Sequence, residues 1–211
     1  MSSSREVAII GSGGHGRELA CVALSSGLPL RGFIDDRPPA PDLVAPFGVG
    51  YLGTIAEWEA VVTIDIVVGI GSGAVRESIA RRLAASGIIG GLVDPYSSIG
   101  VDVRLGEGAV VFAQATVTTN IELGQHTHIG RGAAIGHDCV VGDFVTVMPL
   151  ASVSGDVRIG DRATIGAGAV IRQGQVIGAD AYVGAGAVVV SDVPPGVIVV
   201  GNPARPIRSN K

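Results

Sequence analysis

The chain has 211 residues, a formal net charge of −4, 33 glycines and only 4% aromatic residues. It carries no basic cluster, which argues against nucleic acid as a partner. No apolar run is long enough to span a membrane, despite a mean hydropathy of +0.49. The opening, Met1 to Glu6, lacks the long apolar stretch of a signal peptide, so a cytoplasmic protein is expected.

In chain order, Val7 to Ile10 is a short buried strand running into Gly11-Ser12-Gly13-Gly14-His15-Gly16. A helix is predicted from about Arg17 to Ser26, ended by Gly27 and Pro29. A second strand, Leu30 to Ile34, ends in Asp35-Asp36, and the proline-rich segment from Arg37 to Phe47 reads as a loop. A short helix around Thr54 to Ala60, a strand from Ile64 to Gly69, Gly71-Ser72-Gly73, a helix from about Ala74 to Ser86 and a fourth strand ending near Val93 complete this part. The alternation predicts a small parallel sheet with helices on its faces over residues 1–93, with Asp94-Pro95 as the hinge into residues 94–211.

The glycine stretch matches G-x-G-x-x-G, a weak motif alone. It gains weight here because it follows a strand, opens a helix and precedes an acidic pair at the next strand's end. Backbone amides at a helix N-terminus suit phosphates, and a carboxylate suits sugar hydroxyls or base N–H groups. His15, inside the loop, can donate to a phosphate or sugar oxygen, or be a plain loop histidine. A dinucleotide such as NAD competes as ligand. However, four strands in 93 residues make only half of a usual Rossmann fold, so a nucleotide diphosphate carrying another group fits this Rossmann-like domain better. A tight strand–helix turn with no ligand is the structural alternative.

From Ile99 the pattern changes. Every sixth residue from Ile99 to Val189, sixteen positions, is Ile, Leu or Val. Gly usually follows it, and the residue four later is mostly small, as at Ala109, Ala133, Ala151 and Ala169. Neither a helical period of 3.6 nor alternation produces this. Each hexad reads as a flat strand and a corner, with three hexads closing one triangular coil of a parallel β-helix of about five coils. The aliphatic residue points inward, and Gly is expected to permit the bend. Cys139 takes the small inward position of its hexad and reads as an inert buried thiol, and Cys21 on the first helix reads the same way. No disulfide is needed.

Polar residues at a coil's corners are informative because its walls are mostly backbone. His137 and Asp138 are the third and fourth residues of their hexad and can point outward together. Gly155 lies one coil above, eighteen residues on. A histidine beside a carboxylate, near an open backbone N–H, suits a general base with an orienting partner. His126 and His128 fall on a different edge and are expected at the surface, with His128 stacked under Thr146. A zinc site from these histidines is the lesser alternative.

The hexads, together with Gly-Ser-Gly-Gly-His-Gly, Phe33-Ile34-Asp35-Asp36, Gly69-Ile70-Gly71, the stretch from Ile135 to Asp143 and the closing Gly201-Asn202-Pro203-Ala204-Arg205, carry a resemblance over essentially the whole chain. The chain resembles the bacterial nucleotide-amino-sugar N-acetyltransferases (PglD/NeuD-like), which include the bacillosamine-pathway enzyme, with sialic-acid O-acetyltransferases as close relatives. The resemblance implies that the coil is a left-handed β-helix and that the protein is a homotrimer with active sites between neighbours. It implies acetyl-CoA as co-substrate, no metal, and a nucleotide-linked amino sugar as acceptor. His137 would be the base and Asp138 would raise its basicity, where the bacillosamine enzyme has Glu. Gly13, Gly14, His15, Asp35, Asp36 and Gly71 would hold the nucleotide sugar. Thr146, Gly155, Ala167 and Ala185 would line the CoA cleft. The chain departs from the family at Gly130, where Asn is common, and at Thr146, where the bacillosamine enzyme has His.

The expected activity is acetyl transfer to the 4-amino group of a UDP-, dTDP- or GDP-linked deoxy sugar, direct because no activated nucleophile is visible. The alternatives are an O-acetyltransferase acting on sialic acid or a polysaccharide sugar, and a non-catalytic nucleotide-binding scaffold or zinc-dependent hydratase.

Overall fold

A computed structural model describes residues 6–58, 64–83 and 90–209. The chain divides into two compact units, Met1–Pro95 and Tyr96–Lys211.

The first unit is built on β1 (Val7–Ile10), α1 (Gly14–Ser25), β2 (Leu30–Ile34), α2 (Pro41–Val44), β3 (Tyr51–Gly53), α3 (Ile55–Trp58), β4 (Asp65–Val68) and α4 (Gly73–Leu83). β1 to β4 form one parallel sheet in the order β3-β2-β1-β4. β1 is buried along its whole length, as a strand covered on both faces must be. α1 begins three residues before the expected start and ends where Gly27 adopts φ +70 and closes the last turn onto the Leu24 carbonyl. Three details differ from the sequence reading. The sheet's fourth strand is β3, too short to be seen by pattern, whereas the predicted strand ending near Val93 is a two-residue piece, Leu92–Val93, outside this sheet's order. The proline-rich loop contains α2 and a 3₁₀ turn at Ala45–Phe47, because proline suits the first helical position. Cys21 is exposed on α1 rather than buried. The predicted helix ends at Ala60 and Ser86 lie outside the described residues.

The second unit is a left-handed β-helix of two- and three-residue strands. Its three sheets stack along the axis: one face contains Ala134–Ile135, the next Val140–Val141 and the third Thr146–Val147. Partners are one coil apart, as His128 pairs with Val110 below and Thr146 above. The fourteen aliphatic positions from Val111 to Val189 are at most 3% exposed and form one continuous core with the small residues, whereas Ile99 and Leu105 of the first coil are each 37% exposed.

The corners are made differently from the expectation. At all fifteen sixth-residue positions from Asp102 to Gly186, φ lies between +52° and +74°, and the residue is the third after the aliphatic one. That left-handed residue turns the chain. Five of the ten non-glycine occupants are Asp or Asn, the side chains that best tolerate this conformation: Asp102, Asn120, Asp138, Asp156 and Asp180. The glycine directly after the aliphatic residue serves stacking instead. A Cβ on Gly106 would stand 2.5 Å from the Gly124 carbonyl carbon of the next coil, and one on Gly124 equally close to that of Gly142. Successive coils hydrogen-bond at strand spacing, which leaves no room there for a side chain.

In the described tail, Val197–Val200 pairs antiparallel with Arg205–Ser209 around a cis Asn202–Pro203 bond.

Candidate active site

In the first unit the expected ligand residues share one edge. Gly13, Gly14 and His15 follow β1, Asp35 and Asp36 follow β2, and Gly71 follows β4, so all lie at the carboxyl ends of adjacent parallel strands. The strand order reverses between β1 and β4. A switch point of this kind is where open parallel sheets bind ligands.

The glycines of the motif divide into two kinds. Gly11 (φ +98), Gly16 and Gly69 interlock: a Cβ on Gly16 would collide with the Gly11 carbonyl oxygen, and one on Gly69 would stand 2.7 Å from the Gly16 Cα. These three let strand and helix close on each other. Gly13, Gly14 and Gly71 have nothing within 4 Å of where a Cβ would be, so no packing contact explains the missing side chain there. Gly16→Ala is therefore expected to destabilise this unit by about 3 kcal/mol, read from unfolding followed at the single tryptophan, Trp58. Wild-type stability would show that the helix can shift to make room.

Asp35 ties the glycine loop to the neighbouring strand. Its Oδ2 accepts from the Ser12 N–H and hydroxyl, both at 2.8 Å, and its Oδ1 from the Arg37 N–H at 3.0 Å. Burial pushes this carboxyl up, but the Ser12 and Arg37 donors outweigh it and hold it below the usual range. Asp36 accepts from the Ile55 N–H at 3.0 Å and caps α3. Both acidic residues thus shape the rim as well as offering remaining acceptor sites. His15 is half-buried in the first turn of α1.

The sequence reading overlooked Arg76, which is 0% exposed on α4. Its Nη1 donates to the carbonyls of Ile70 at 2.7 Å and Gly71 at 3.1 Å, holding the second glycine loop, and burial lowers its pKa to about 9. An arginine within a helical pattern carries no sign that it will turn inward.

In the β-helix, His137 and Asp138 share the corner between the first and second faces. His137 Nδ1 is 2.7 Å from Asp138 Oδ2, and both side chains are 53% exposed. The carboxylate accepts, so Nδ1 carries the proton and Nε2 is left as the acceptor. The bonds from His137 and from Asn120 hold the Asp138 carboxyl below its usual range. The backbone is fixed from both sides, with Asp138 N–H donating to Thr119 and Asp156 N–H to the His137 carbonyl. Gly155, buried one coil up, lies against the imidazole: a Cβ there would be 2.5 Å from Cε1 and Nε2.

The remaining expected residues lie elsewhere on the prism. Thr146 is buried on the third face, and Ala167 and Ala185 are exposed at the corner between the third and first faces. The structure stacks Ala167 under Ala185, with Gly186 N–H donating to Ala167 at 2.8 Å, but within one chain it does not bring them to His137.

His126 and His128 are buried, not superficial, at 4% and 1% exposure. His126 stacks on Phe144 with ring centroids 5.1 Å apart, so an aromatic column rather than solvent receives it. Cys139 is buried as expected, and its Sγ donates to the Ser154 carbonyl at 3.2 Å. Among the described residues no three His, Cys, Asp or Glu side chains converge to hold a metal ion.

Residues 6–83 match the PglD N-terminal domain, and residues 138–173 match the bacterial transferase hexapeptide family (six repeats). No curated protein matches the chain. The acetyltransferase domain of PglB from Neisseria gonorrhoeae FA1090 is 36% identical, with a TM-score of 0.90 over 96% of this chain and 100% of that one. The chain belongs to the PglD-like sugar N-acetyltransferase family. The PglB domain has also been solved with acetyl coenzyme A. PerB, the GDP-perosamine N-acetyltransferase of Caulobacter crescentus, is 30% identical, with a TM-score of 0.90 over 96% of this chain and 97% of its own, in complex with CoA and GDP-perosamine. WeeI from Acinetobacter baumannii AYE is 30% identical, with a TM-score of 0.85 over 96% of this chain and 100% of its own. Two histidine variants of the perosamine enzyme have also been solved with both ligands. Among the described residues of this PglD-like chain, no helix is long and apolar enough to cross a membrane.

Proposed function

We propose that this PglD-like protein transfers the acetyl group of acetyl-CoA to the 4-amino group of a nucleotide-linked deoxy amino sugar, with His137 as general base. The observation that carries the reading is the His137–Asp138 pair, with the acceptor Nε2 held at an exposed corner against the Gly155 backbone of the next coil. Relatives at 30% identity or more that bind acetyl coenzyme A, or CoA with GDP-perosamine, support the donor and the acceptor class.

In this mechanism the sugar amine attacks the thioester carbonyl carbon. The new C–N bond forms, Nε2 takes the N–H proton, and the C–S bond breaks as the CoA thiolate leaves and is protonated from the imidazolium. Asp138 holds the Nδ1–H and stabilises the imidazolium that appears during transfer. The Gly155 amide, which donates to no acceptor among the described residues, serves the carbonyl oxygen as it gains charge. By contrast, the equivalent amides of Gln125 and Asp143 at the next corner are capped by the carboxylates of Asp143 and Asp161.

The backbone of Gly13, Gly14 and Gly71, with His15, Asp35 and Asp36 around it, would hold the nucleotide part. Thr146, Gly155, Ala167 and Ala185 would line the CoA cleft. Because His137 and the Ala167–Ala185 wall occupy different corners, one chain supplies the base and a neighbouring copy the wall, which makes the protein a homotrimer in this reading. A single-chain mass by light scattering would remove that part. A cytoplasmic location goes with an intracellular donor and acceptor.

The test is thiol release from acetyl-CoA with UDP-, dTDP- and GDP-linked 4-amino-6-deoxy sugars and free sialic acid. Release is expected with one nucleotide amino sugar, which also names the base. Release with sialic acid alone would move the protein to O-acetylation.

A further inference from the structure

We infer that Asn120 is a positioning residue for the reaction, acting on His137 through Asp138. This rests on the reading of His137 as the base. Asn120 and Asp138 are eighteen residues apart and occupy the same corner on successive coils, both with the left-handed backbone, φ 55 and φ 61. Asn120 Nδ2 donates to Asp138 Oδ1 at 3.2 Å, while Oδ2 of the same carboxylate holds His137 at 2.7 Å. Each carboxylate oxygen therefore has its own donor, and the two bonds together set the plane of the carboxylate.

The amide has one useful orientation. An ionised carboxylate only accepts, so the NH₂ of Asn120 must face it, and Oδ1 points the other way, 3.3 Å from the Thr119 hydroxyl. The single proton of that hydroxyl is directed mainly to the Val101 carbonyl, the nearer acceptor at 2.8 Å, which ties Thr119 to the coil below. The corner thus carries an amide–carboxylate–imidazole chain across two coils, although both carboxylate and imidazole are half exposed. An exposed aspartate with a single partner would be free to rotate about χ2 and release the imidazole. A second donor from a rigid coil opposes that rotation. Without it, the Nδ1–H and the direction of Nε2 are held less well, and misorientation of the base lowers the rate rather than the affinity for acetyl-CoA.

The charges around His137 are Asp138 beside it, Asp156 one coil up and Asp102 below Asn120, the last paired with Arg104 at 3.8 Å. The Cys139 thiol beside this corner is buried, and burial pushes it up. Asn120 adds no charge of its own, whereas an aspartate in its place adds one. This makes substitutions at Asn120 readable through the pH profile.

The experiment uses Asn120→Gly and Asn120→Asp in the full chain, since Gly and Asp both tolerate the positive φ that Ala would strain. The assay uses acetyl-CoA and whichever nucleotide-linked 4-amino-6-deoxy sugar of the panel supports thiol release. Asn120→Gly is expected to lower kcat roughly three- to thirtyfold, less than the full worth of a hydrogen bond to a charged group because the effect reaches the base indirectly, with the KM for acetyl-CoA unchanged. The acid limb of kcat/KM moves to lower pH, because a loosened carboxylate stabilises the imidazolium less. Asn120→Asp moves that limb to higher pH, because a second negative charge joins the first. A purely structural role would change both variants in the same direction or change only their melting temperature. Wild-type kcat and an unmoved acid limb in both variants, with His137→Ala inactive, would overturn the inference and leave the base assignment standing. Full turnover in His137→Ala would instead remove the base assignment on which it rests.

Discussion

Replacing His137 with Ala is expected to lower turnover at least 10²-fold, the lower range of general-base effects, with little change in acetyl-CoA affinity. Asp138 does not compete for the proton the imidazole would take, since the His137 and Asn120 hydrogen bonds hold its carboxyl below the usual range. The sign follows from that depression. The Asp138 interaction is fully present above the ordinary carboxylate range and is lost only as pH falls through the lowered value. The hydrogen bond that orients the imidazole therefore survives acidification until the carboxylate itself takes a proton. Steady-state kcat and KM together with acetyl-CoA binding by calorimetry measure both halves of the prediction. Turnover within a factor of a few of wild type would take His137 out of the mechanism.

The second large effect is expected at a residue with no side chain. Gly155→Ala places a methyl group where the His137 ring lies, 2.5 Å from Cε1 and Nε2 and 2.9 Å from Nδ1. The ring must swing away from the coil wall, and a displacement of about 1 Å at a reacting group costs on the order of 10²-fold in rate. The backbone itself accepts the change, because Gly155 is not among the positive-φ positions, so the fold and the melting temperature are expected to hold. A large fall in kcat at unchanged stability would identify Gly155 as the floor that sets the imidazole's direction. Undiminished turnover would mean that the ring finds an equivalent position without that floor.

These two residues also illustrate how the corners work. The left-handed residue of each hexad turns the chain, and the residue before it projects from the edge. At the corner between the first and second faces these are Asp138 and His137, so the geometry that bends the chain also places the carboxylate beside the imidazole. The order His137-Asp138 thus has a local backbone reason in this chain, since an aspartate suits both the bend and the hydrogen bond.

Much of this was legible in the amino-acid sequence. A period of six sustained over sixteen aliphatic positions admits one economical backbone, and arithmetic in steps of eighteen stacks His137 under Gly155 and Ala167 under Ala185. The same arithmetic would have paired Asn120 with Asp138. The glycine motif between a strand and a helix marked the carboxyl edge of the parallel sheet, because Gly11 and Gly16 leave no room for a side chain where strand and helix close on each other. Other features are set only by tertiary structure. The glycine after each aliphatic residue looks like a bend in sequence but proves to be a stacking contact, since the collision that forbids a side chain comes from the neighbouring coil. Burial of His126, His128 and Arg76 depends on what covers them, and no local pattern encodes that. β3 is three residues long and exists because β2 offers it an edge. Periodicity is a property of neighbouring residues and can be read along the chain, whereas close approach between distant segments arises only when the chain has folded.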